Sequence, residues 1–259
     1  MPALPPPPLP ERGAAWALFA DIDGTLVDFA ARPDDVVLPP PLLNMLGRLR
    51  DALRGALAVL SGRDLDAIDR MLAPLELPVG AVHGLHWRDA RGRRHMQAPP
   101  PDIAAAVERA CAVLAAALPG VSLESKSGIA FALHYRNAPQ HAVAVRERAA
   151  RLAARFAPHY LLQPGDCVAE LKPAGGDKGS ALRALYGDAP FHGRLPIAVG
   201  DDYTDEAAFA AARVLGGFGI VVGTRRPTAA TYALPAPRDV AAWLERSIER
   251  LVGASGGST

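Results

Sequence analysis

Cysteine is scarce in this sequence: Cys111 and Cys167 are the only two among 259 residues. Two cysteines cannot supply a disulfide framework, and neither belongs to a CxxC pair of the kind that binds a metal. We expect Cys111 to lie in a helix and Cys167 in a strand, both as buried and unreactive thiols. The fold must therefore be held together by its hydrophobic core.

An excess of charge and a long apolar run are also missing. The formal net charge is +1, so no overall field draws the protein to nucleic acid or to an anionic membrane. The apolar runs are far shorter than the ~20 residues that span a bilayer. The first ten residues have neither the basic region nor the apolar region of a signal peptide. We expect a cytoplasmic protein without nucleic-acid or membrane partners. The oligomeric state stays open, with a monomer as the default.

The rest of the composition is that of a globular protein, with 50% hydrophobic and 21% charged residues. The length suits a core domain with a second, smaller domain. We predict a disordered, proline-rich lead over residues 1–13 and a flexible tail over residues 253–259.

Between these ends, short apolar runs alternate with segments of helical periodicity. The predicted strands are 16–20, 56–60, 79–82, 195–199 and 219–222, and the predicted helices are 42–53, 64–72, 178–186, 204–213 and 240–251. This alternation predicts an α/β core with a doubly wound parallel sheet, Rossmann-like in architecture. We assign residues 14–99 and 174–252 to this core.

The middle of the chain follows a different order of elements. A predicted helix and hairpin are followed by a second helix and hairpin, at 102–118, 121–136, 140–156 and 160–172. The first hairpin turns at Ser127-Gly128 and the second at Pro164-Gly165. Residues 100–173 are therefore predicted to form an inserted α+β cap domain.

A pair of carboxylates follows the first predicted strand, in Asp21-Ile22-Asp23-Gly24-Thr25. Open parallel sheets place their sites beyond the carboxyl ends of strands. Two acids at such a point are not ordinary surface charges, although by themselves they could also cap the following turn. Gly24 permits the chain to turn away from the strand.

Two further segments carry groups that can bind an anion. Ser61-Gly62-Arg63 ends the next predicted strand and precedes a helix, whose N-terminus offers free N–H groups. Taken alone, Ser61 is better explained as a plain N-cap or turn residue than as an anion-binding group. Lys178 follows a glycine-rich turn, where it could neutralise a phosphoryl oxygen or keep Asp21 ionised. The alternative is a solvated lysine in the first turn of a helix.

A fourth segment, Gly200-Asp201-Asp202-Tyr203-Thr204-Asp205-Glu206, contains four acids and follows an apolar strand. Crowded carboxylates repel one another unless a cation or protons intervene. A set of oxygen ligands suits Mg²⁺, which also binds substrate phosphate. Asp205 and Glu206 could instead be acids of a first helical turn.

The order of these four segments resembles the haloacid-dehalogenase-like phosphohydrolase superfamily. The resemblance implies that Asp21 is the nucleophile and that Asp23 is the general acid and base. It implies further roles for other residues: phosphate binding by Ser61, Gly62 and Lys178, Mg²⁺ binding by Asp21, the Asp23 carbonyl, Asp201 and Asp202, and support by Asp205, Thr25 and Arg63.

The chain is more closely similar to the trehalose-6-phosphate phosphatase family. The similar segments are Ser61-Gly62-Arg63, Val82-His83-Gly84, Glu124-Ser125-Lys126, Leu133-His134-Tyr135-Arg136, Glu170-Leu171-Lys172-Pro173, the acidic segment 200–206, Val222-Gly223 and Ala230-Thr231-Tyr232-Ala233-Leu234. This resemblance implies that Glu124, Lys126 and Glu170 bind hydroxyl groups of the sugar. The spacing of Glu124 and Lys126 alone favours an exposed cross-strand ion pair. Leu85-His86-Trp87 departs from the family pattern.

The resemblance thus implies a small-molecule sugar phosphate as partner. The reaction would convert trehalose 6-phosphate to trehalose and phosphate through an aspartyl phosphate. Three alternatives remain: a phosphatase for sucrose phosphate or mannosyl-phosphoglycerate, a hexose-phosphate mutase, and an inactive sugar-phosphate sensor. The intact set of acids, serine and lysine argues against the sensor.

Overall fold

The structure, a computed structural model, describes residues 4–28, 36–165 and 167–253. The chain divides into two compact units, one comprising Met1–His95 and Asp177–Thr259 and the other Met96–Gly176. The inserted domain predicted at 100–173 lies within the second unit. Residues 1–3 of the predicted lead and 254–259 of the predicted tail lie outside the described residues.

Helices and strands alternate through most of the chain. The strands are β1 (Trp16–Ala20), β2 (Leu57–Leu60), β3 (Val79–Ala81), β4 (His86–Arg88), β5 (Arg94–Met96), β6 (Ser122–Lys126), β7 (Ala130–His134), β8 (Tyr160–Gly165), β9 (Val168–Pro173), β10 (Leu195–Gly200), β11 (Phe218–Val222) and β12 (Tyr232–Leu234). The α-helices are α1 (Pro40–Ala52), α2 (Leu65–Leu72), α3 (Pro101–Ala116), α4 (Ala142–Arg155), α5 (Lys178–Tyr186), α6 (Glu206–Val214) and α7 (Pro237–Val252). Of the helices in these residues, none combines the length and the apolar composition that crossing a bilayer requires.

The first unit is built on an eight-stranded sheet in the order β12-β11-β10-β1-β2-β3-β4-β5. The pairings from β12 to β3 are all parallel, and β4 is antiparallel to β3. The chain leaves β1 toward β2 and β3, and it later returns at β10 and continues to β11 and β12. This arrangement confirms the predicted doubly wound sheet, and it places β1 at the point where the two halves diverge.

The central strands form because their sequences are apolar without interruption. Every residue of β1 and β2 is buried, which is typical of parallel strands covered on both faces. Polar residues set the starts of neighbouring helices. Asp64 caps α2 by accepting the Ala67 N–H at 2.6 Å, and Asp177 forms a capping box with Ser180 at the start of α5.

Several short features differ from the sequence-based expectation. The described part of the proline-rich lead contacts the first unit: the Trp243 indole donates to the Pro8 carbonyl at 3.0 Å, and the Ala233 N–H donates to the Pro5 carbonyl. The lead is therefore held where a disordered segment was predicted, because partners distant in sequence satisfy its carbonyls. His86 and Trp87 of the segment Leu85-His86-Trp87 belong to β4, an antiparallel strand that was not predicted. Cys167 lies in the turn between β8 and β9 instead of a strand.

The second unit is a four-stranded antiparallel sheet, ordered β6-β7-β9-β8, with two helices. One sheet face packs against α3 and α4 through a core of apolar residues: Val107, Cys111, Leu114, Leu118, Phe131, Leu133, Tyr135, Val145, Ala149, Tyr160, Ala169 and Leu171. Residues on the opposite face alternate with these. Glu124 pairs with Ala132, and Ala132 pairs with Glu170, so both glutamates lie on that opposite face.

Gly179 permits the close approach of α5 to α6. A Cβ atom on Gly179 would lie 2.3 Å from the carbonyl oxygen of Ala207, a backbone atom that cannot rotate away. Lys178, the preceding residue, depends on this approach because its side chain contacts Asp205 just before α6.

We predict that Gly179→Ala lowers the free energy of unfolding by about 1–3 kcal/mol, the usual cost of overpacking. In an open helix the same change is stabilising by up to about 1 kcal/mol. Urea denaturation measures the difference. Gly187→Ala is the matched control, because Gly187 ends α5 with a helical φ of −62° and the nearest atom to its added Cβ lies at 3.4 Å. Equal stability of the Gly179 variant and wild type would contradict the prediction.

Candidate active site

The carboxyl ends of three adjacent strands bring the predicted core residues together. Asp21 follows β1, Ser61 follows β2 and Asp201 follows β10. Sheet hydrogen bonds continue into two of these positions, since the Asp21 N–H donates to the Val199 carbonyl at 2.9 Å and the Ser61 N–H to the Gly80 carbonyl at 2.8 Å. The backbone at this edge is therefore fixed by the sheet itself.

Lys178 lies between two carboxylates at the centre of the site. Its Nζ is 2.8 Å from Asp21 Oδ1 and 2.7 Å from Asp205 Oδ1. The lysine side chain is only 2% exposed, and both acids are buried. The alternative of a solvated lysine in the first turn of a helix is therefore wrong.

Asp205 also organises the loop that follows β10. Its Oδ2 accepts the N–H groups of Asp201 at 3.1 Å and of Asp202 at 3.0 Å. A Cβ on Gly200 would lie 2.1 Å from Asp205 Cγ, so only glycine allows this carboxylate to fit beneath the loop. Asp205 thus joins the loop to Lys178.

Three acids form a cluster with the donor chemistry of a metal site. One carboxylate oxygen from each of Asp21, Asp201 and Asp205 lies within 4.8 Å of the others. Thr25 Oγ1 donates to Asp201 Oδ1 at 3.2 Å and helps to orient that carboxylate. Asp202 is not a member of this cluster: its exposed carboxylate accepts the Tyr203 N–H at 2.6 Å. Oxygen donors of this kind fit Mg²⁺.

The electrostatics of the cluster favour binding of a cation. Burial raises the pKa of Asp21 well above its usual value, and the neighbouring acids Asp205 and Asp201 add to this effect, while Lys178 opposes it. Burial and the charge of Asp205 likewise raise the pKa of Asp201 to about 7. Burial by itself would lower the pKa of Lys178, but the charges of Asp205 and Asp21 outweigh it and raise that pKa. When all three acids are ionised, they carry more negative charge than the one ammonium of Lys178 neutralises, and a bound cation would favour that ionised form.

Asp23 lies in a different environment, although it is only two residues from Asp21. Its side chain is 24% exposed and forms a bidentate ion pair with Arg63, with Nε–Oδ2 and Nη2–Oδ1 distances of 2.7 Å. Arg63 thus fixes the orientation of the Asp23 carboxylate. The two acids of the motif are held by different cations, Lys178 and Arg63.

Ser61 and Gly62 form a tight turn at the end of β2. Ser61 is buried, and its Oγ accepts the Arg63 N–H at 3.2 Å. The N-cap of α2 is Asp64, so Ser61 is not the capping residue. A Cβ on Gly62 would lie 2.5 Å from Cε1 of His83, which gives the glycine a packing reason besides its expected role.

In the second unit, the three predicted sugar-binding residues lie on one face of the sheet. Lys126 Nζ donates to Glu170 Oε2 at 2.8 Å, reaching from β6 past β7 to β9. His134 Nε2 donates to Glu124 Oε2 at 2.7 Å. Burial opposes ionisation of Glu124, but the hydrogen bond from His134 and the charge of Lys126 outweigh it and lower the pKa of Glu124. The exposed Glu124–Lys126 pair that the spacing alone favoured is therefore wrong.

A model of the trehalose-phosphatase family matches residues 19–238. This chain belongs to the trehalose-phosphatase family. The match extends over both units and includes every predicted site residue, which confirms the family expected from the sequence.

Two curated relatives match this chain over most of their own length. Trehalose-6-phosphate phosphatase of Escherichia coli is 43% identical over 236 residues, covering 91% of this chain and 88% of that protein. A probable trehalose-phosphate phosphatase of Sinorhizobium fredii is 43% identical over 222 residues, covering 85% and 81%. The crystal structure of a trehalose-6-phosphate phosphatase related protein has a TM-score of 0.74 and 25% identity, covering 88% of this chain and 95% of that one.

One charged residue near the site was not predicted. Arg225 follows β11 and donates to the backbone carbonyls of Asp201 and Asp202. The signal that could have found it is its position, because it lies just beyond the carboxyl end of the strand next to β10. Arg225 belongs to none of the sequence motifs that contain the predicted site residues.

We predict that Asp201→Asn stabilises this trehalose-phosphatase increasingly as pH rises from 5 to 8 in EDTA. The unfolded Asp201 has a pKa of about 3.9, and the folded pKa is about 7. Between these values the folded protein holds a proton that the unfolded chain releases. The stability that protonated Asp201 gives the wild-type protein is therefore present at low pH. It is lost as pH rises through the folded pKa of about 7.

Asparagine removes this loss, so the difference in unfolding free energy between variant and wild type should grow by about 2–3 kcal/mol from pH 5 to 8. Chemical denaturation at several pH values measures it. Asp51→Asn is the control for the loss of one carboxylate, because exposed Asp51 pairs with Arg50 and lies outside the cluster. A difference for Asp201→Asn that does not change with pH would refute the electrostatic account.

Proposed function

We propose that this protein hydrolyses trehalose 6-phosphate to trehalose and phosphate, with Mg²⁺ as cofactor and Asp21 as nucleophile. The observation that carries the proposal is the buried Asp21 carboxylate held by Lys178 within a cluster of acids. The 43% identity to the Escherichia coli trehalose-6-phosphate phosphatase supports the substrate. A cytoplasmic location and a monomeric state stay predictions.

Asp21 is the proposed nucleophile because its buried carboxylate lies beyond the end of β1 and beside Lys178. In the proposed first step a carboxylate oxygen of Asp21 attacks phosphorus, and the bond from phosphorus to the sugar oxygen breaks. The product is an aspartyl phosphate and a free sugar hydroxyl. In the second step water attacks phosphorus, which releases inorganic phosphate and regenerates the Asp21 carboxylate.

Lys178 supplies positive charge beside this nucleophile. An ammonium group has three N–H donors, and Asp21 and Asp205 engage two of them. We propose that the third donates to a phosphoryl oxygen, together with the Ser61 hydroxyl and the Gly62 N–H. This arrangement holds charge where it develops in the transition state.

The acids that surround Asp21 fit a magnesium site. Asp21, Asp201 and the carbonyl of Asp23 are the proposed ligands. Asp205 is proposed as a support, because its oxygens already accept from Lys178 and from two backbone N–H groups. Asp202 is proposed to stabilise the loop that carries Asp201, since its carboxylate accepts the Tyr203 N–H. Bound Mg²⁺ would neutralise the phosphate and shield it from the nucleophilic carboxylate.

Asp23 is proposed to move the proton in both steps. It would protonate the departing sugar oxygen and then accept a proton from the attacking water. Arg63 holds both carboxylate oxygens of Asp23 in the structure. We propose that Arg63 orients this carboxylate and that one oxygen leaves the guanidinium when substrate binds. Different partners thus suit Asp21 and Asp23 to different roles.

The second unit is proposed to recognise the sugar. Glu124, Lys126 and Glu170 lie on one sheet face. Ala132 lies between the two glutamates, and its small side chain leaves space between them. His134 orients Glu124, and Lys126 orients Glu170. Oriented carboxylates and an ammonium are suitable partners for several hydroxyl groups of a disaccharide.

Phosphate release from a panel of sugar phosphates tests the proposed function. We expect trehalose 6-phosphate to have the highest kcat/KM among trehalose, sucrose and hexose phosphates and mannosyl-phosphoglycerate. Trapping of ³²P-labelled aspartyl enzyme in acid tests the intermediate. Faster hydrolysis of another sugar phosphate would indicate a related phosphatase, transfer to hexose would indicate a mutase, and binding without turnover would indicate a sensor.

We predict that Asp21→Asn abolishes turnover in a folded protein, because an amide does not attack phosphorus. Asp23→Asn keeps the nucleophile and should lower kcat by about 10²–10⁴, the usual contribution of a general acid or base. The Asp23 side chain is not a proposed metal ligand, so the Mg²⁺ dependence of that variant should match wild type. Near-normal phosphate release by folded Asp21→Asn would show that the nucleophile is misassigned.

We predict that alanine at Glu124, Lys126 or Glu170 lowers kcat/KM for trehalose 6-phosphate by about one to two orders of magnitude. A hydrogen bond to a charged group contributes about 1.5–3 kcal/mol, and about 1.4 kcal/mol corresponds to a factor of ten. A small aryl phosphate lacks the sugar hydroxyls, so its hydrolysis is the internal control and should change little. Equal losses on both substrates would mean that these residues support folding and not recognition.

A further inference from the structure

The segment Asp201-Asp202 lies between β10 and the short 3₁₀ turn Tyr203–Asp205, outside regular secondary structure. Its backbone N–H groups therefore need partners other than a helix or sheet. Asp205 accepts both of them through a single carboxylate oxygen, Oδ2, at 3.1 and 3.0 Å. This carboxylate holds the segment from its N–H side.

Arg225 holds the same segment from its carbonyl side. Arg225 Nε donates to the Asp201 carbonyl at 2.9 Å, and Nη2 donates to the Asp202 carbonyl at 3.0 Å. The two donors come from one planar guanidinium, whose geometry fixes the spacing of the two carbonyls. One acid and one base thus contact all four backbone polar groups of the segment, and the Asp202 carbonyl also accepts the Asp205 N–H at 3.0 Å.

The guanidinium of Arg225 is itself held in place by two neighbours. Its Nη2 also contacts the Glu206 carboxylate, and its Cζ lies 4.6 Å from the centre of the Tyr203 ring. Glu206 in turn accepts the Ala229 N–H at 2.6 Å, which ties the start of α6 to the segment after β11. Arg225 therefore has one defined orientation, and the carbonyls that it binds are held with it.

We infer that Arg225 is a positioning residue that fixes the Asp201 carboxylate for cation binding. The inference rests on the proposed magnesium site. A carboxylate ligand binds a metal well only if its backbone is fixed, and residues that hold ligands in this way commonly change metal affinity by about 10–100-fold. Arg225 makes no contact with the carboxylate oxygens of Asp201, so its effect passes through the backbone.

Arg225→Lys isolates this geometric role from the charge. Lysine keeps the positive charge beside the acids, but its single ammonium cannot reproduce the paired donors of the guanidinium. We expect the Mg²⁺ concentration for half-maximal phosphate release to rise about tenfold or more. At saturating Mg²⁺ the KM for trehalose 6-phosphate should stay within about twofold of wild type.

A readout without substrate separates metal binding from turnover. Mg²⁺ raises the Tm of a protein that binds it in the folded state, by an amount that depends on its Kd. We expect the Mg²⁺ titration of Tm for Arg225→Lys to shift to about tenfold higher concentration, in step with the activity. Arg48→Lys is the matched control, because exposed Arg48 pairs with Glu245 and takes no part in the contacts around Arg225.

Tyr203→Ala provides a second variant if Arg225→Lys does not fold. Tyr203 is 68% exposed, so its removal spares the core while the Arg225 guanidinium loses its ring contact. A shift of about two- to fivefold in the same direction is expected. Unchanged Mg²⁺ titrations in the folded variants would overturn the inference alone. A wild-type protein whose activity and Tm do not respond to Mg²⁺ would overturn the proposed metal site as well.

Discussion

The buried ion pairs of Lys178 with Asp21 and Asp205 are the interaction on which the rest of the core depends. An ammonium in this position is tolerable only because two carboxylates lie within 2.8 Å, and each acid is tolerable only because of the ammonium. The end of β1, the start of α5 and the turn before α6 must therefore all be in place together. Gly179 and Gly200 serve this requirement, since a side chain at either would separate the partners.

The same cluster leaves an electrostatic imbalance that suits its proposed function. Burial and mutual repulsion raise the pKa values of Asp21 and Asp201, so full ionisation of the acids opposes folding when no cation is bound. A divalent cation would remove that penalty, and its binding would be favoured by the amount removed. Asp23, paired with Arg63 and partly exposed, stands outside this imbalance. Two acids two residues apart in sequence thus acquire different environments.

The second unit solves a different problem with the same residue types. Its α-helices cover one face of the antiparallel sheet and supply the core that folds it. The opposite face is left for charged side chains, and the register places Glu124 and Glu170 on either side of Ala132. Each glutamate is held by one basic partner, His134 or Lys126, so the carboxylates have defined directions. These defined directions are the basis for proposing that this face recognises the hydroxyl groups of the sugar.

The doubly wound sheet, the inserted unit, the acids and serine at strand ends and the lysine at a helix start were all predictable from the sequence, because apolar periodicity and the chemistry of strand and helix ends are local properties. Which charged residues are partners depends on contacts between distant segments. The Arg225 contacts, the His134–Glu124 pair and the burial of Lys126 join residues from different strands or loops, and spacing carries no information about them. The sequence did not predict β4 or the contacts of Pro5 and Pro8 for the same reason. Three residues or a few prolines have no periodicity, and distant partners provide these contacts.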